Sequence, residues 1–253
     1  MIIDATSYIG MWPYWSNHYA DETGGGLVTL MDKANIEKSV VVSTKAIFYD
    51  DIEGNELMFS ATRQYPDRLL PSIALNPESH EKPEDYLQLC IEKGATILRI
   101  YPYYHGYHLT SSNLKLNKLI RAAENYNIPV AIPIRVIMNW GFYALPVAEI
   151  ISFVNNYPDV IFLIDCFNYG ELNSLLELAR ENNNVFLVTT CFTMMKGIER
   201  IMAILGPKRI ICGTGAPIQI PECGVVKIQK ADIAADYKNE IFGGNILRII
   251  TNN

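Results

Sequence analysis

The sequence predicts an α/β protein of the (β/α)8, or TIM, barrel class, folded as a single domain. Eight short runs rich in β-branched apolar residues alternate with longer stretches of helical periodicity. Runs such as 39–42 and 160–164 are almost continuously apolar, which is typical of parallel strands buried on both faces. The length of 253 residues also suits a barrel of this kind, which needs about 250.

The predicted elements follow one another with short links. In one helical stretch, Leu172, Leu175, Leu176 and Ala179 recur at spacings of three and four, which marks one buried face. Eight strand–helix units close a barrel more naturally than they fill an open sheet, and a doubly wound open sheet is the competing interpretation. Strands are predicted over 1–8, 38–43, 69–75, 96–101, 129–134, 160–166, 185–190 and 209–214, and helices over 54–65, 82–93, 113–125, 145–155, 170–181, 193–205 and 231–250.

The segment that follows the first strand has no clean periodicity. Residues 11–35 are predicted to form a loop inserted over the barrel mouth, within a single domain that spans residues 1–253. Loops after the strands form the working face of a barrel, so this loop is either a lid or substrate wall, or a packed plug. The run 24–26 of three glycines predicts a flexible turn. The aromatic side chains of the loop are Trp12, Tyr14, Trp15 and Tyr19, beside His18.

Composition narrows the class of protein. The net charge is −6 and no cluster of Lys or Arg occurs, which argues against a nucleic-acid partner; the pair Lys227 and Lys230 predicts a solvated loop or helix start. No apolar run reaches the roughly 18 residues of a membrane span, and no signal peptide is visible, so we expect a cytoplasmic protein. The five cysteines form no C-x-x-C pair, and reduced, partly buried thiols are expected.

The candidate site lies at the carboxyl ends of the strands, where the working face of a barrel is found. Alternate residues of a strand share one face, which puts Asp4, Thr6 and Tyr8 of the first strand on one side and Arg99 and Tyr101 of the fourth on one side. The other strands offer the residues at their ends, which are Pro133 and Arg135 on the fifth, Asp165 and Cys166 on the sixth, Thr190 and Cys191 on the seventh, and Gly213, Thr214 and Gly215 on the eighth.

Over nearly its full length the chain resembles the amidohydrolase-related (amidohydrolase 2) family of metal-dependent hydrolases with a TIM-barrel fold. The opening MIIDATSYIG is similar to the family's first strand, which ordinarily reads Ile-Asp-x-His-x-His. The stretches YPDRL, LNP, GATILRIYP, IPVAI, RIICGTGAP and GGNILRI resemble later family segments in the same order. The resemblance implies hydrolase chemistry on a bound metal.

The five positions that hold metal in the family are all changed in this chain. The two first-strand histidines are replaced by Thr6 and Tyr8, the fifth-strand histidine by Pro133, the sixth-strand histidine by Cys166 and the eighth-strand aspartate by Gly215. A catalytic zinc-type site needs about three imidazole or carboxylate ligands, which lower the pKa of a bound water to about 7. We therefore expect no metal or other cofactor at the inherited position.

The remaining groups supply candidate site residues. Asp165 as a general base and Cys166 as a nucleophile are the candidate catalytic residues, although an inert buried thiol is the simpler interpretation of Cys166. Two inward arginines favour an anionic small molecule, but an inward arginine could equally pair with Asp4. The candidate substrate-binding residues are Tyr8, Arg99, Tyr101, His105, His108 and Arg135.

Three functional hypotheses remain open from the sequence. The first is a divergent barrel that has lost metal-dependent hydrolysis and binds a small anionic molecule. The second is a metal-independent hydrolase, lactonase or decarboxylase-like enzyme that uses Asp165 and Cys166 with Arg99 and Arg135. The third is a non-catalytic protein that binds a partner through the aromatic first loop. Whether any catalysis remains is left open. By analogy with such barrels a homodimer is expected, with no nucleic-acid or membrane partner.

Overall fold

The computed structural model describes residues 1–13, 23–137 and 144–251. In this part of the chain eight parallel strands pair in sequence order, each with the next. The predicted (β/α)8 class is therefore confirmed, and every predicted strand is present. The strands are β1 (Ile3–Ile9), β2 (Lys38–Ser43), β3 (Leu69–Ala74), β4 (Ile97–Arg99), β5 (Val130–Pro133), β6 (Phe162–Asp165), β7 (Val185–Val188) and β8 (Ile210–Ile211).

Hydrogen bonds between β1 and the segment that begins with β8 close the sheet into a barrel. Ala5 N donates to Cys212 O at 2.9 Å, Gly215 N donates to Thr6 O at 2.8 Å, and Tyr8 N donates to Ala216 O at 2.7 Å. The competing open-sheet interpretation is therefore wrong, because an open sheet would leave the outer edges of β1 and β8 unpaired.

Helices follow the strands and pack on the outside of the barrel. All seven predicted helical stretches contain helix, and their ends differ from the prediction by a few residues. Short 3₁₀ helices span Pro77–Ser79 and Pro207–Arg209. The helices are α1 (Gly24–Lys33), α2 (Thr44–Phe48), α3 (Asp51–Gln64), α4 (Pro83–Glu92), α5 (Pro102–His105), α6 (Leu114–Asn125), α7 (Val147–Val154), α8 (Tyr169–Glu181), α9 (Gly197–Leu205), α10 (Pro221–Gln229), α11 (Ala235–Asn239) and α12 (Asn245–Thr251).

The amino end of the barrel is closed by the end of the chain. Ile246 and Ile249 of α12 pack into the inner cluster that Ile3, Val40 and Ile97 form inside the strands. A π-helical turn over Glu240–Gly244 joins α11 to α12 and accepts a hydrogen bond from Cys212 N. The helix predicted over 231–250 is therefore present from Ala235 onward as one continuous helical run that contains the π turn. The opposite, carboxyl end of the barrel is the one left to hold a site.

The loop after β1 is shorter than the sequence predicts, because a helix occupies its second half. The hydroxyl of Thr23 accepts a hydrogen bond from Gly26 N, and α1 runs from Gly24 to Lys33, so the three glycines begin a helix instead of forming a flexible turn. Trp12 is buried and packs edge-on against Phe48. Tyr14, Trp15, His18 and Tyr19 lie outside the described residues, and the role of this loop as a lid or plug stays a prediction.

Two of the cysteines correct the expectation of reduced thiols. Cys166 and Cys191 form a disulfide that joins the segments after β6 and β7, across 25 residues of sequence. The sequence missed it because the two positions become neighbours only when the barrel brings adjacent strand ends together. Cys90, Cys212 and Cys223 are free. None of the helices within the described ranges has the length and apolar character that a membrane crossing requires.

Candidate functional site

A buried polar network lies where the carboxyl ends of β1, β4 and β6 meet. Asp165 Oδ2 accepts a hydrogen bond of 2.6 Å from the Thr6 hydroxyl and lies 3.5 Å from Nη1 of Arg99. Arg99 also donates from Nε to the Ser72 hydroxyl at 2.7 Å. Both charged side chains are only 1% exposed, so each requires the other as a counter-ion. The interpretation that Arg99 pairs with Asp4 is corrected, because its partner is Asp165.

Asp4 has different partners on the β8 side of the barrel. Its carboxylate accepts hydrogen bonds from Thr214 N at 2.8 Å, from Thr6 N at 3.0 Å and from the Thr214 hydroxyl. Burial raises the pKa of Asp4 to about 6, against the lowering effect of these hydrogen bonds. Asp4 is therefore a buried carboxyl group that can hold a proton near neutral pH.

Tyr8 and Tyr101 lie together in the buried cluster above this network, with Trp12 and Val136. Their hydroxyl oxygens are buried, and neither has a hydrogen-bond partner among the described residues. Burial raises the pKa of both phenols far above the usual value. Both side chains therefore stay protonated at physiological pH, as neutral donors with unused capacity.

The residues at the inherited metal positions do not fit a catalytic metal. The Thr6 hydroxyl is engaged with Asp165, and the Tyr8 phenol stays neutral. Pro133 has no ligand atom in its side chain. Cys166 is in a disulfide and offers no thiolate. The carboxylate of Asp165 already has the cation of Arg99 beside it. A metal ion placed there would face like-charge repulsion and too few ligands.

Gly215, at the eighth-strand ligand position, leaves no room for an aspartate. Its φ is +76°, a left-handed conformation in which an aspartate would be strained. A Cβ atom there would lie 2.7 Å from Gln219 Nε2 and 2.9 Å from Thr190 Cγ2. The described ranges also hold no group of three His, Cys, Asp or Glu side chains placed to share a metal.

The two predicted binding histidines, His105 and His108, contact different parts of the barrel mouth. His105 is mostly buried, its Nε2 lies 3.3 Å from Ala46 O, and burial lowers its pKa. His108 is exposed, with Nδ1 3.5 Å from a Glu149 carboxylate oxygen. Their contacts are with α2 and α7, respectively, so the structure does not bring the pair together on one ligand.

Arg135 is buried but already paired. Its Nη2 donates to Glu171 Oε1 at 2.8 Å, and its Nη1 donates to Cys166 O at 3.1 Å. Glu171 also caps the start of α8 through a hydrogen bond from Asn168 N. Arg135 therefore links the end of β5 to α8. Both predicted arginines, Arg99 and Arg135, thus have a carboxylate partner.

An open cleft of about 800 Å³ lies beside this network, at the carboxyl ends of β7 and β8. Phe192, Met194 and Ile198 supply apolar wall, and Lys196, Lys227 and Lys230 supply positive charge against the carboxylates of Glu199 and Asp232. Gln219 lines the same cleft and donates to Cys191 Sγ at 3.2 Å, so the disulfide forms part of its support.

Lys227 is the cleft residue that the sequence misassigned. It lies on α10 with its side chain only half exposed, and its Nζ donates to the carbonyl oxygens of Thr189 and, at 3.4 Å, Thr190. Burial lowers the pKa of this amine to about 8. The prediction of a solvated loop or helix start was wrong for this side chain. No local pattern in the sequence marks this side chain as buried, because its burial depends on what α10 packs against.

Comparison with known proteins places the chain in a family. A model described as amidohydrolase matches residues 18–250, so the chain belongs to the amidohydrolase family. This confirms the family indicated by the strand motifs. The comparison with curated proteins gives no match.

Solved structures share the fold at low sequence identity. The 5-carboxyvanillate decarboxylase of Sphingomonas paucimobilis is similar with a TM-score of 0.73 and 13% identity, over 99% of this chain and 98% of that one. The 2,6-dihydroxybenzoate decarboxylase of Rhizobium gives 0.71 and 13%, over 89% and 87%. The 4-oxalomesaconate hydratase of Rhodopseudomonas palustris gives 0.71 and 14%, over 99% and 96%. At these identities the likeness shows the fold alone.

Proposed function

We propose that this amidohydrolase-family barrel binds a small anionic molecule, of the carboxylate class, in the cleft beside β7 and β8, and that it does not carry out metal-dependent hydrolysis. Lys227 carries the proposal. Among the residues that the structure describes, no carboxylate lies within ion-pair distance of its amine, whereas Arg99 and Arg135 are neutralised by Asp165 and Glu171. An ammonium group that is half buried without a counter-ion favours an anion from solution.

The surroundings of Lys227 suit an organic anion better than a bare inorganic one. Phe192, Met194 and Ile198 give the cleft apolar surface that would cover a carbon skeleton. Thr190, which is 3% exposed, also lines the cleft, and its hydroxyl has no hydrogen-bond partner within the described ranges. The names of two structural neighbours point the same way, since 5-carboxyvanillate and 2,6-dihydroxybenzoate are aromatic carboxylates.

The alternative of a metal-free enzyme built on Asp165 and Cys166 receives less support from the geometry. Cys166 is half of a disulfide and cannot attack as a thiolate. Asp165 is fully engaged by Thr6, Arg99 and the Cys166 amide. A general base needs access to the proton that it removes.

Calorimetric titration with 2,6-dihydroxybenzoate tests the binding half of the proposal. We expect one binding site, which Lys227→Met weakens by about tenfold or more because the most buried of the three cleft lysines is removed, whereas Lys196 and Lys230 are exposed. Lys208→Met is the matched control, since Lys208 is exposed on the 3₁₀ helix before β8 and should leave binding unchanged. Equal loss in both variants, or unchanged binding in Lys227→Met, contradicts the proposed site.

Elemental analysis of the purified chain tests the metal half. We expect zinc, manganese and iron well below one equivalent, because the donor set at the inherited position does not fit them. A metal present at one equivalent and lost in Asp165→Asn would show that the site is occupied after all.

A further inference from the structure

We propose that the side-chain amine of Lys227 forms an imine with the carbonyl carbon of an anionic carbonyl compound, such as a 2-oxo acid, bound in the cleft. This inference rests on the proposed function, since the same cleft must first hold the anion. It adds a reacting atom, the Nζ of Lys227, and narrows the ligand from carboxylates in general to those that also carry an aldehyde or ketone group.

The helix that carries Lys227 is held unusually close to the strand ends. Gly224 lies one turn before Lys227 on α10, and a Cβ atom at Gly224 would lie within 3.0 Å of three Thr214 atoms. Residues three apart share a helix face, so the close approach at Gly224 also directs Lys227 toward the barrel. Its amine reaches the carbonyl oxygens of Thr189 and Thr190, which fix its position at the floor of the cleft.

Burial of the Lys227 amine leaves part of it neutral, and therefore nucleophilic, near neutral pH. Burial is the largest influence and lowers the pKa of Lys227 from 10.5 to about 8. Four groups oppose it by raising the pKa, namely Asp4 on β1, Asp165 on β6, Cys212 after β8 and Cys223 on α10. A lysine with a pKa near 8 has roughly a hundredfold more neutral amine at pH 7 than an ordinary lysine. Desolvated lysines of this kind are the ones that form imines with carbonyl substrates.

The Thr214 hydroxyl suits the proton transfers of imine formation. Thr214 lines the cleft, and its hydroxyl is hydrogen bonded to the carboxyl of Asp4. Since burial raises the pKa of Asp4 to about 6, this pair can hold and release a proton under the working conditions.

The step balances without any further reagent. The lone pair of neutral Nζ attacks the carbonyl carbon, the carbon–nitrogen bond forms, and the carbonyl electron pair moves to oxygen, which takes up the proton that nitrogen loses. The hydroxyl of this carbinolamine then takes up a proton and leaves as water while the carbon–nitrogen double bond forms, and the nitrogen gives up its second proton to replace the one used. One amine and one carbonyl give one imine and one water, with no change of oxidation state.

Reductive trapping tests the inference directly. The intact chain is incubated with glyoxylate and sodium cyanoborohydride at pH 7.5, and the product is analysed by intact mass and peptide mapping. We expect one carboxymethyl group per chain, located on Lys227, added at least about tenfold faster than on the exposed Lys208. 2,6-Dihydroxybenzoate should slow the reaction at Lys227 and leave that at Lys208 unchanged.

Lys227→Arg separates the inference from the proposed function. Arginine keeps the positive charge but forms no imine, so this variant should still bind 2,6-dihydroxybenzoate and lose the fast labelling. Carboxylate binding in the wild type with Lys227 labelled no faster than Lys208 overturns the imine proposal and leaves the anion site standing. Failure to bind 2,6-dihydroxybenzoate, together with unselective labelling, overturns both.

Discussion

Arg99 places a positive charge at the strand ends where the family resemblance implies a metal ion. Its guanidinium faces the carboxylate of Asp165 at the end of β6. The cation is thus part of the chain, and its donors are used on Thr6, Ser72 and the Ala5 carbonyl. Because the pair is buried, removal of either side chain leaves an uncompensated charge inside the protein and strongly destabilises the fold.

Arg99→Met should lower the free energy of unfolding by about 3–5 kcal/mol, because it leaves the Asp165 charge buried without a partner. Urea unfolding measures the loss, and Arg99→Met combined with Asp165→Asn should recover part of it. The comparison variant is Arg135→Met, whose partner Glu171 keeps some contact with water. A loss no larger for Arg99→Met than for Arg135→Met contradicts the interpretation.

Asp4 gives the stability of the protein a particular dependence on pH. Burial raises its pKa in the folded protein from 3.8 to about 6, so the folded state binds this proton more tightly than the unfolded chain does. The stabilisation is complete below pH 3.8 and is lost as the pH rises through about 6.

Asp4→Asn should remove this dependence, because an amide can still accept from Thr6 N and Thr214 N but does not ionise. Between pH 4 and 7 the difference in free energy of unfolding between the variant and the wild type should change by about 2 kcal/mol in favour of the variant. Urea unfolding across this range measures the difference. The exposed Asp67→Asn is the control, and a gain of the same size there would point to general charge effects instead of Asp4.

The sequence predicted which side chains gather at the site better than it predicted their partners. Thr6, Arg99 and Asp165 were found by counting alternate residues to the strand ends, a rule that needs only the barrel class. The pairing of Arg99 with Asp165, and of Cys166 with Cys191, depends on the distance between particular strand ends and on side-chain reach. Lys227 was missed because burial of a helix face depends on what the helix packs against.

At the scale of elements, α10 shows how a glycine positions a functional group. Gly224 allows the helix to lie against Thr214, and the cleft forms where α10 and α9 flank the ends of β7 and β8. The helix was not predicted, since the stretch after β8 contains two prolines and three glycines among few regular apolar repeats. The predicted helix over 170–181, by contrast, has apolar residues at spacings of three and four that mark one buried face.

Gly224→Ala should push α10 away from Thr214. Overpacking of this kind costs about 1–3 kcal/mol, offset by about 1 kcal/mol from the better helix propensity of alanine, so we expect a net loss of about 1 kcal/mol. Binding of 2,6-dihydroxybenzoate should weaken as well, because Lys227 moves with the helix. Val226→Ala on the exposed face of α10 should leave binding intact, and weakened binding there would argue against the packing explanation.

At the scale of the whole molecule, the disulfide ties two neighbouring βα units. A loop of 25 residues closed by a disulfide is worth about 3 kcal/mol in the chain-entropy treatment. Because two cysteines are in the disulfide, the denatured but unreduced chain should react with a thiol reagent at three of its five cysteines. After reduction all five should react. Cys166→Ser with Cys191→Ser should lower the free energy of unfolding by about that amount. Five reactive thiols before reduction would show that the bond is absent.

The contacts that close the barrel also set a limit on when it can form during synthesis. Ala5, Thr6 and Tyr8 bond to Cys212, Gly215 and Ala216, and α12 packs against Ile3 inside the amino end. A nascent chain on the ribosome therefore holds β1 through β7 with two open sheet edges until its last segment has emerged. Those edges are templates for pairing with other chains, so this interval is when the protein most needs protection from aggregation.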